Sequence, residues 1–426
     1  MKEQVSQFLN TSLTAFHACD EIRAVLLANG FRPLLETEDW AICEDGKYFV
    51  ERNGSAIIAF TIGGLDDFSY KIVASHVDSP ALKLKENALI KTGAYATLNV
   101  EKYGGAILPS FYDRRLKIAG RVIKRADGTL RSETVTSPYF THIPSLPIHQ
   151  NRSVNEGVAV NPQIDMQPLY ALNESAFDLD ELANLEENEQ VVSYDLFLVN
   201  ADMPYSFGKN NEFFASPRID NLINAYASIQ ALVNHGESGG ICVAALLDNE
   251  EVGSLTAQGA DGDFLENVLR RIAYSLRFDD NEYYKALASS FLLSADNGHA
   301  LHPNHPEKTD LTNKPTLGGG VLIKNHANKA YITDGLSSAI VKTIFDKADV
   351  RYQAFFNRSD MQSGSTLGAA ALRHTSMRGA DIGLCQLAMH SACECCAASD
   401  YDEMEKGLAA FYATNLSFTP DGVIVK

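Results

Sequence analysis

The chain has 426 residues, of which 45% are hydrophobic and 21% are charged, a composition typical of a folded protein with about two domains. Its net charge of −18, with Lys and Arg scattered singly, argues against a nucleic-acid partner, because phosphate binding requires clustered basic residues. No apolar run reaches the roughly 18 residues of a transmembrane helix, and the N-terminal stretch lacks the apolar segment of a signal peptide. We therefore expect a cytoplasmic protein with no membrane partner.

The first ninety residues alternate between helix and strand patterns. The N-terminal stretch MKEQVSQFLNTSLTAFHACDEI predicts one amphipathic helix, and YKIVASH (70–76) predicts a strand that ends at a histidine. From 88 to 206 the pattern changes to short alternating runs and turns, with a hairpin signal at residues 126–128. Within it, the acidic stretch 173–190 is typical of a surface helix or a loop. These features predict an inserted β-rich domain.

After residue 207 the alternation of strands and helices returns. Residues 220–236 predict a helix, and the apolar runs 240–248 and 289–296 predict buried strands. Downstream, SSAIVKTIFDKAD and STLGAAALRHT predict helices, VRYQAFF and IGLCQLAMH predict strands, and a last helix spans about 400–416. The whole predicts an α/β fold: a mostly parallel sheet flanked by helices, built from residues 1–87 and 207–426, with the β-rich second domain inserted at 88–206.

Side chains of metal-ligand type occur where the predicted strands end or a helix begins: His76, Asp78, Asp220, Glu250, Glu251, Asp296 and His390. Taken singly, each has an ordinary explanation as a surface histidine, a helix cap or a turn residue. Together they predict a two-metal site, because ligands bind at the carboxyl ends of parallel strands and imidazole with carboxylate suits zinc. In the Glu250-Glu251 pair, one carboxylate can bind metal while its neighbour serves as a base, provided that the chain leaves the strand after Asp248.

Five segments carry a resemblance to a known family: ASHVDSPALKLK, SPRIDNL, LLDNEEVGS, SADNGHALHPNHPEKT and LAMHS. They resemble, in this order, the signature segments of the M18 metallopeptidases, the aspartyl aminopeptidase family. The resemblance implies two zinc ions per subunit, with manganese or cobalt as substitutes. His76 and Asp296 would hold one ion, Glu251 and His390 would hold the other, and Asp220 would bridge both. It makes Glu250 the general base and Asp78 the carboxylate that orients His76.

The same resemblance implies an aminopeptidase that releases the first residue of peptide substrates. It implies a homododecamer built from dimers, with dimer contacts made by the β-rich insertion. His149, in PIHQNRSVNEG, resembles a histidine that reaches an active site, including that of a dimer partner, and Lys324 resembles a residue of the substrate pocket that would favour an acidic first side chain. The ordinary alternatives are a surface histidine and a solvated lysine. The loop MQSGSTLG differs from the version in acidic-specific members, so acidic and neutral first residues both remain open.

Two other functions remain open from the residues. One is another two-zinc amidohydrolase, a carboxypeptidase or deacylase, which would require a cation to hold a C-terminal carboxylate. The other is a self-assembling scaffold protein with a structural metal site, which should be closed rather than carry a spare base. Cys393, Cys395 and Cys396 form a cluster without a second CxxC half, so packing is favoured over a thiolate metal site. Asp248 has no assigned role.

Overall fold

Helices and strands alternate after residue 219, whereas strands predominate between residues 32 and 216, in a computed structural model that describes residues 1–66, 68–157, 159–236 and 238–426. The α-helices of the described residues are α1 (Glu3–Thr11), α2 (Ala15–Ala28), α3 (Pro162–Asp165), α4 (Ile219–Asn234), α5 (Phe264–Ser275), α6 (Asp280–Ser289), α7 (Gly335–Lys347), α8 (Leu367–Thr375) and α9 (Ala398–Ala413). Over the same part of the chain, no helix combines the length and apolar character needed to cross a bilayer.

The strands of the described residues form four sheets. In chain order they are β1 (Arg32–Leu34), β2 (Lys47–Arg52), β3 (Ala56–Ile62), β4 (Tyr70–His76), β5 (Ala81–Thr92), β6 (Tyr95–Tyr103), β7 (Leu116–Ala126), β8 (Thr129–Thr136), β9 (Leu169–Leu172), β10 (Gln190–Asn200), β11 (Tyr205–Phe207), β12 (Phe213–Ser216), β13 (Ile241–Leu247), β14 (Phe291–Ala295), β15 (Gly298–His299), β16 (Val321–Asn325), β17 (Tyr352–Phe356), β18 (Arg378–Gly383), β19 (Cys385–Leu387), β20 (Glu394–Ala397), β21 (Leu416–Thr419) and β22 (Gly422–Val425).

The largest sheet has nine strands in the order β1-β2-β3-β13-β4-β14-β18-β16-β17. Its centre, β13-β4-β14-β18, is parallel, and antiparallel pairs occur towards both edges. In β13, Cys242, Ala244 and Leu246 join the core shared with α1, α2, α4, α7 and α9. The alternate residues Val243 and Ala245 join the core shared with α5, α6 and α8. Both faces are therefore covered, which explains the continuous apolar run and confirms the predicted α/β fold.

The second sheet is antiparallel, with the order β8-β7-β10-β5-β6-β9, and it encloses a core of its own. It is formed by strands between Ala81 and Asn200, so it begins before residue 88. The predicted hairpin is confirmed: β7 and β8 are joined by Asp127 and Gly128, whose φ values of 48° and 78° suit the tight turn of a twisted hairpin. The division of the chain at residues 88 and 206 stays a prediction.

The sequence patterns failed in two places. The N-terminal stretch forms two helices, α1 and α2, rather than one, because the chain breaks at residues 12–14. Arg218 stabilises that break by donating to the backbone carbonyls of Leu9 and Ser12. IGLCQLAMH is not one strand either: β18 ends at Gly383 and β19 belongs to another sheet. At Gly383 the backbone passes so close to the Asp296 carbonyl that a Cβ atom would lie 1.8 Å from its oxygen.

Candidate metal centre

The carboxyl ends of three neighbouring parallel strands converge at one edge of the large sheet. β4 ends at His76, β14 is followed by Asp296, and β13 lies between β3 and β4 and leads into the turn of Glu250 and Glu251. Asp220 comes from the start of α4 on the neighbouring helical layer, where its backbone is not yet helical (φ −79°, ψ 110°). Because neighbouring parallel strands end at the same edge of the sheet, the strand order brings these ligand-type residues together there.

Two groups of these side chains share one residue. His76 Nε2 lies 3.6 Å from Asp220 Oδ1 and 3.8 Å from Asp296 Oδ1. His390 Nε2 lies 3.7 Å from Asp220 Oδ2 and 3.3 Å from Glu251 Oε1. The two oxygens of Asp220 thus face different imidazoles, as a bridging carboxylate would. All five side chains fall into groups close enough to ligate one ion each.

The residues fit zinc on several grounds. Ligands held at 2.0–2.1 Å around a tetrahedral ion lie about 3.3–3.4 Å from one another, close to the spacing of these groups. Asp220 Oδ1 and Glu251 Oε1 are buried without any hydrogen-bond partner among the described residues. Burial, reinforced by the Asp220 charge, raises the pKa of Glu251 well above its usual value. Buried acceptors without donors are costly, and a cation beside them would remove that cost.

Asp78 contacts both His76 and the turn that contains Glu250 and Glu251. Its carboxylate Oδ1 lies 3.2 Å from His76 Nδ1, and its backbone oxygen lies 3.1 Å from the same nitrogen. The carboxylate also accepts the backbone N–H groups of Glu250 (3.1 Å) and Glu251 (3.2 Å) and the hydroxyl of Tyr103 (2.7 Å). Asp78 therefore orients the imidazole and holds the acidic turn at the same time.

Glu250 and Glu251 lie in a 3₁₀ turn after β13 rather than in the strand, and the turn lets each approach a different histidine. Glu251 is nearest His390, whereas Glu250 Oε2 lies 4.0 Å from His76 Nε2 and keeps 16% of its side chain exposed. Burial raises the pKa of Glu250 to about 8, and the negative charge of Asp296 adds to that effect. A carboxyl with a raised pKa and access to the cleft has the properties of a general acid–base group.

The β-rich region contacts Glu251 and His390 directly at the end of β6. Gly104 has φ +71°, and a Cβ there would lie 3.1 Å from the Glu251 Cβ. A Cβ on Gly105 would lie 3.1 Å from His390 Nδ1, and the Ile107 N–H donates to the His390 carbonyl (2.9 Å). Sequence reasoning missed this contact, although the pair of glycines was a signal of a close backbone approach.

Lys324 is buried beside the metal group rather than solvated. Its Nζ donates to the carbonyl oxygens of Asp296 (3.2 Å) and Asn297 (2.8 Å) and lies 4.0 Å from Asp296 Oδ2. Burial would lower the pKa of Lys324, but the Asp296 charge raises it above its usual value, so the ammonium stays charged. The ammonium also lies 4.7 Å from the centre of the Tyr331 ring.

His299, which sequence reasoning missed, lies within the electrostatic reach of this group. Desolvation and the Lys324 charge lower the pKa of His299, whereas the Asp220 charge opposes that shift. His149 differs, because none of the ligand groups found among the described residues contains it. It lies in an exposed turn, flanked by Leu146 and Ile148, which are 60% and 48% exposed.

The remaining acids and cysteines have distinct surroundings. Asp248 is buried, and its carboxylate accepts the Asn249 N–H at 2.7 Å; burial and the Asp78 charge raise the pKa of Asp248 to about 7. It lines a cavity of about 300 Å³ between the large sheet and the β-rich region. All seven cysteines are free, and no ligand group in the described part of the chain contains one; within the cluster Cys396 is buried and Cys393 and Cys395 are half-buried. Glu394, between Cys393 and Cys395, was also missed; it is buried beneath Asp220 and His390.

Comparisons with known proteins agree with this geometry. The family model described as "Aminopeptidase I zinc metalloprotease (M18)" matches residues 8–412. The "Probable M18 family aminopeptidase 2" of Clostridium acetobutylicum is 39% identical over an alignment of 426 residues, which covers 96% of this chain and 98% of that protein. The protein of the same name from Ectopseudomonas mendocina is 37% identical, with coverage of 97% and 99%.

Solved structures show the same fold. A chain from the "Cryo-EM structure of the Ape4 and Nbr1 complex" superimposes with a TM-score of 0.91 at 33% identity, covering 96% of this chain and 85% of that one. The "Structure of S. cerevesiae mApe1 dodecamer" superimposes with a TM-score of 0.82 at 26% identity, covering 96% and 95%.

Proposed function

Because this chain belongs to the M18 family of zinc metalloproteases, we propose that its metal centre removes the N-terminal residue of peptides with Glu250 as the general base. The family match makes the chain a zinc metallo-aminopeptidase, a hydrolase of peptide bonds, and it does not favour the carboxypeptidase, deacylase or scaffold alternatives. The single observation that carries the proposal is the shared Asp220, whose two oxygens face His76 and His390.

In this proposal five side chains hold two zinc ions per subunit. His76 and Asp296 would hold one ion, Glu251 and His390 would hold the other, and Asp220 would be shared by both. When bound, zinc supplies a Lewis acid for the scissile carbonyl and lowers the pKa of an attacking water. The chemistry of the donor set supports zinc, with manganese or cobalt as substitutes, because imidazole and carboxylate are ligands that all three accept.

Glu250 moves the proton in the proposed reaction. It takes a proton from the water that attacks the first peptide carbonyl and gives it to the leaving amine when the C–N bond breaks. Its raised pKa of about 8 supports this role, and nearby cations would bring that pKa closer to neutrality. Asp78 keeps the His76 ring oriented and holds the backbone amide of Glu250, so the base stays beside the substrate carbonyl.

Lys324 and His149 are the proposed substrate contacts. The positive charge of Lys324 would favour an acidic first side chain, Asp or Glu, over a neutral one at that position. His149 contacts the substrate in the site of a partner subunit, and the exposed Leu146 and Ile148 beside it support a contact between subunits. We propose a cytoplasmic homododecamer built from dimers through the β-rich domain at 88–206; a structural relative is described as a dodecamer.

Hydrolysis of matched anilides tests the proposed function. Aminoacyl p-nitroanilides with a free amine are compared with their N-acetylated forms, across a panel of first residues, with zinc, manganese or cobalt. The proposal predicts turnover of the free-amine substrates alone. Equal or faster release of p-nitroaniline from the acetylated forms would show that the free amine is not required and would contradict an aminopeptidase. Release of acetate with the anilide left intact would support a deacylase, and no hydrolysis by metal-replete protein across the whole panel would support a structural metal site.

A further inference from the structure

Glu394 joins two of the metal-ligand residues through their backbones. It begins β20 and is only 2% exposed. Its Oε2 accepts the Asp220 N–H at 2.8 Å, and its Oε1 accepts the His390 N–H at 2.7 Å. One buried carboxylate therefore holds the amides of two residues whose side chains lie 3.7 Å apart at the centre of the site.

We propose that Glu394 is a positioning residue that fixes the separation of Asp220 and His390 and thereby sets the affinity of the site for zinc. This inference rests on the proposed roles of Asp220 and His390 as ligands. Glu394 itself contacts neither substrate nor ion in this account. It acts through the two backbone amides that it holds.

The backbone at both ligands explains why such a residue is needed. Asp220 has non-helical dihedral angles within the first residues of α4, and His390 has a φ of +64° in the turn beyond β19. Neither amide therefore belongs to a regular helical or sheet ladder that would fix its position. A carboxylate can accept on both oxygens, whereas a glutamine side chain would turn its NH₂ group towards one of the two amides.

Glu394 is in turn held by buried polar contacts that lead towards the third ligand. Gln386 Nε2 approaches Glu394 Oε1 at 3.4 Å, and Gln386 Oε1 accepts the Asn297 side-chain amide at 2.7 Å. Asn297 directly follows Asp296, and its Oδ1 accepts the Asn224 side-chain amide at 2.8 Å. The pairing of β20 with β12 fixes the backbone of Glu394 opposite Ser216. Its carboxylate is thus fixed before any ion binds.

Asp400 provides a matched control. It is also fully buried, and its carboxylate also accepts two backbone amides, those of Gly318 (2.8 Å) and Gly320 (3.0 Å). Asp400→Asn therefore creates the same kind of unmatched donor as Glu394→Gln, outside the metal group. Glu394→Asp keeps the charge but is one methylene shorter, so it cannot reach both amides. This second variant also keeps the test open if Glu394→Gln does not fold.

The test measures zinc binding to metal-free protein and hydrogen exchange in peptides that span Asp220 and His390. For Glu394→Gln and Glu394→Asp, we expect the zinc Kd to rise by about 10- to 100-fold and both amides to exchange faster. For Asp400→Asn, we expect the Kd and this exchange to match wild type. Wild-type zinc affinity and slow exchange in both Glu394 variants would overturn the inference, as would an equal loss of affinity in Asp400→Asn.

A further variant separates this inference from the proposed function. Asp220→Asn should lose zinc whether or not Glu394 matters. If it loses zinc while the Glu394 variants bind normally, only the positioning role fails. If Asp220→Asn keeps wild-type zinc binding, the proposed ligand set is wrong, and the positioning role of Glu394, which depends on it, is wrong as well.

Discussion

Replacement of Glu250 by glutamine isolates proton transfer from metal binding. The carboxyl lies 4.0 Å from His76 Nε2 and remains 16% exposed to the cleft, whereas the carboxylates of Asp220 and Asp296 lie nearer to that nitrogen, at 3.6 and 3.8 Å. Glutamine keeps the size of the side chain but cannot take up the proton of an attacking water. Since general acid–base catalysis contributes about 10²–10⁴-fold, kcat should fall by that factor, which corresponds to about 2.7–5.4 kcal/mol at 1.36 kcal/mol per tenfold.

The assay combines steady-state hydrolysis of an aminoacyl anilide with metal analysis of the same preparation. Glu250→Gln should retain its zinc and a KM near wild type while kcat collapses. Glu251→Gln is the matched control, because Glu251 Oε1 lies 3.3 Å from His390 Nε2 and has no hydrogen-bond partner among the described residues. That variant should lose zinc as well as turnover.

If Glu250→Gln keeps a full complement of zinc and a near wild-type kcat, Glu250 is not the general base, and that base lies elsewhere. If Glu250→Gln loses as much zinc as Glu251→Gln, the proposed role of Glu250 is also contradicted, because both carboxylates would then bind metal.

Three more variants test other parts of the account. Lys324→Met should lower the kcat/KM ratio of Asp over Leu substrates by about 10- to 100-fold, because a charged hydrogen bond is lost; an unchanged ratio would exclude Lys324 from specificity. His149→Ala should lower kcat/KM by about 10²-fold, and mixing its subunits with Glu250→Gln subunits should restore activity; no recovery would argue against action in a partner's site. Asp400→Asn removes a carboxyl whose pKa is raised by burial from 3.8 to about 6. Because that carboxyl resists ionisation in the folded state, wild-type stability should fall relative to the variant as pH rises from about 4 to about 6, by about 3 kcal/mol in total. Urea unfolding at several pH values measures this, and a difference independent of pH would contradict it.

Much of the architecture could be predicted because it depends on local patterns. The continuous apolar run of β13 indicated a strand covered on both faces, and the structure places one helical layer on each. The ends of β4 and β14 placed His76 and Asp296 at one edge of a parallel sheet. What failed was local backbone detail: the break between α1 and α2 depends on Arg218, which is distant in the sequence.

The residues that support the site were harder to predict than the residues that line it. Glu394 stands within a cysteine cluster and is surrounded by small residues, so its sequence context favours packing. Its partners, Asp220 and His390, come from other segments, and the contact follows from the close approach of β20 to α4. Tyr103 similarly reaches Asp78 from the β-rich region. Such contacts depend on how separate parts of the chain pack, and local hydrophobic patterns in the sequence therefore cannot predict them.

The most direct test of the two-ion site is a crystal structure of the zinc-soaked protein, with anomalous data collected on both sides of the zinc absorption edge. We expect two anomalous peaks per subunit on either side of the Asp220 carboxylate, one next to His76 and Asp296 and the other next to Glu251 and His390. A single peak, or peaks remote from Asp220, would contradict the two-ion site.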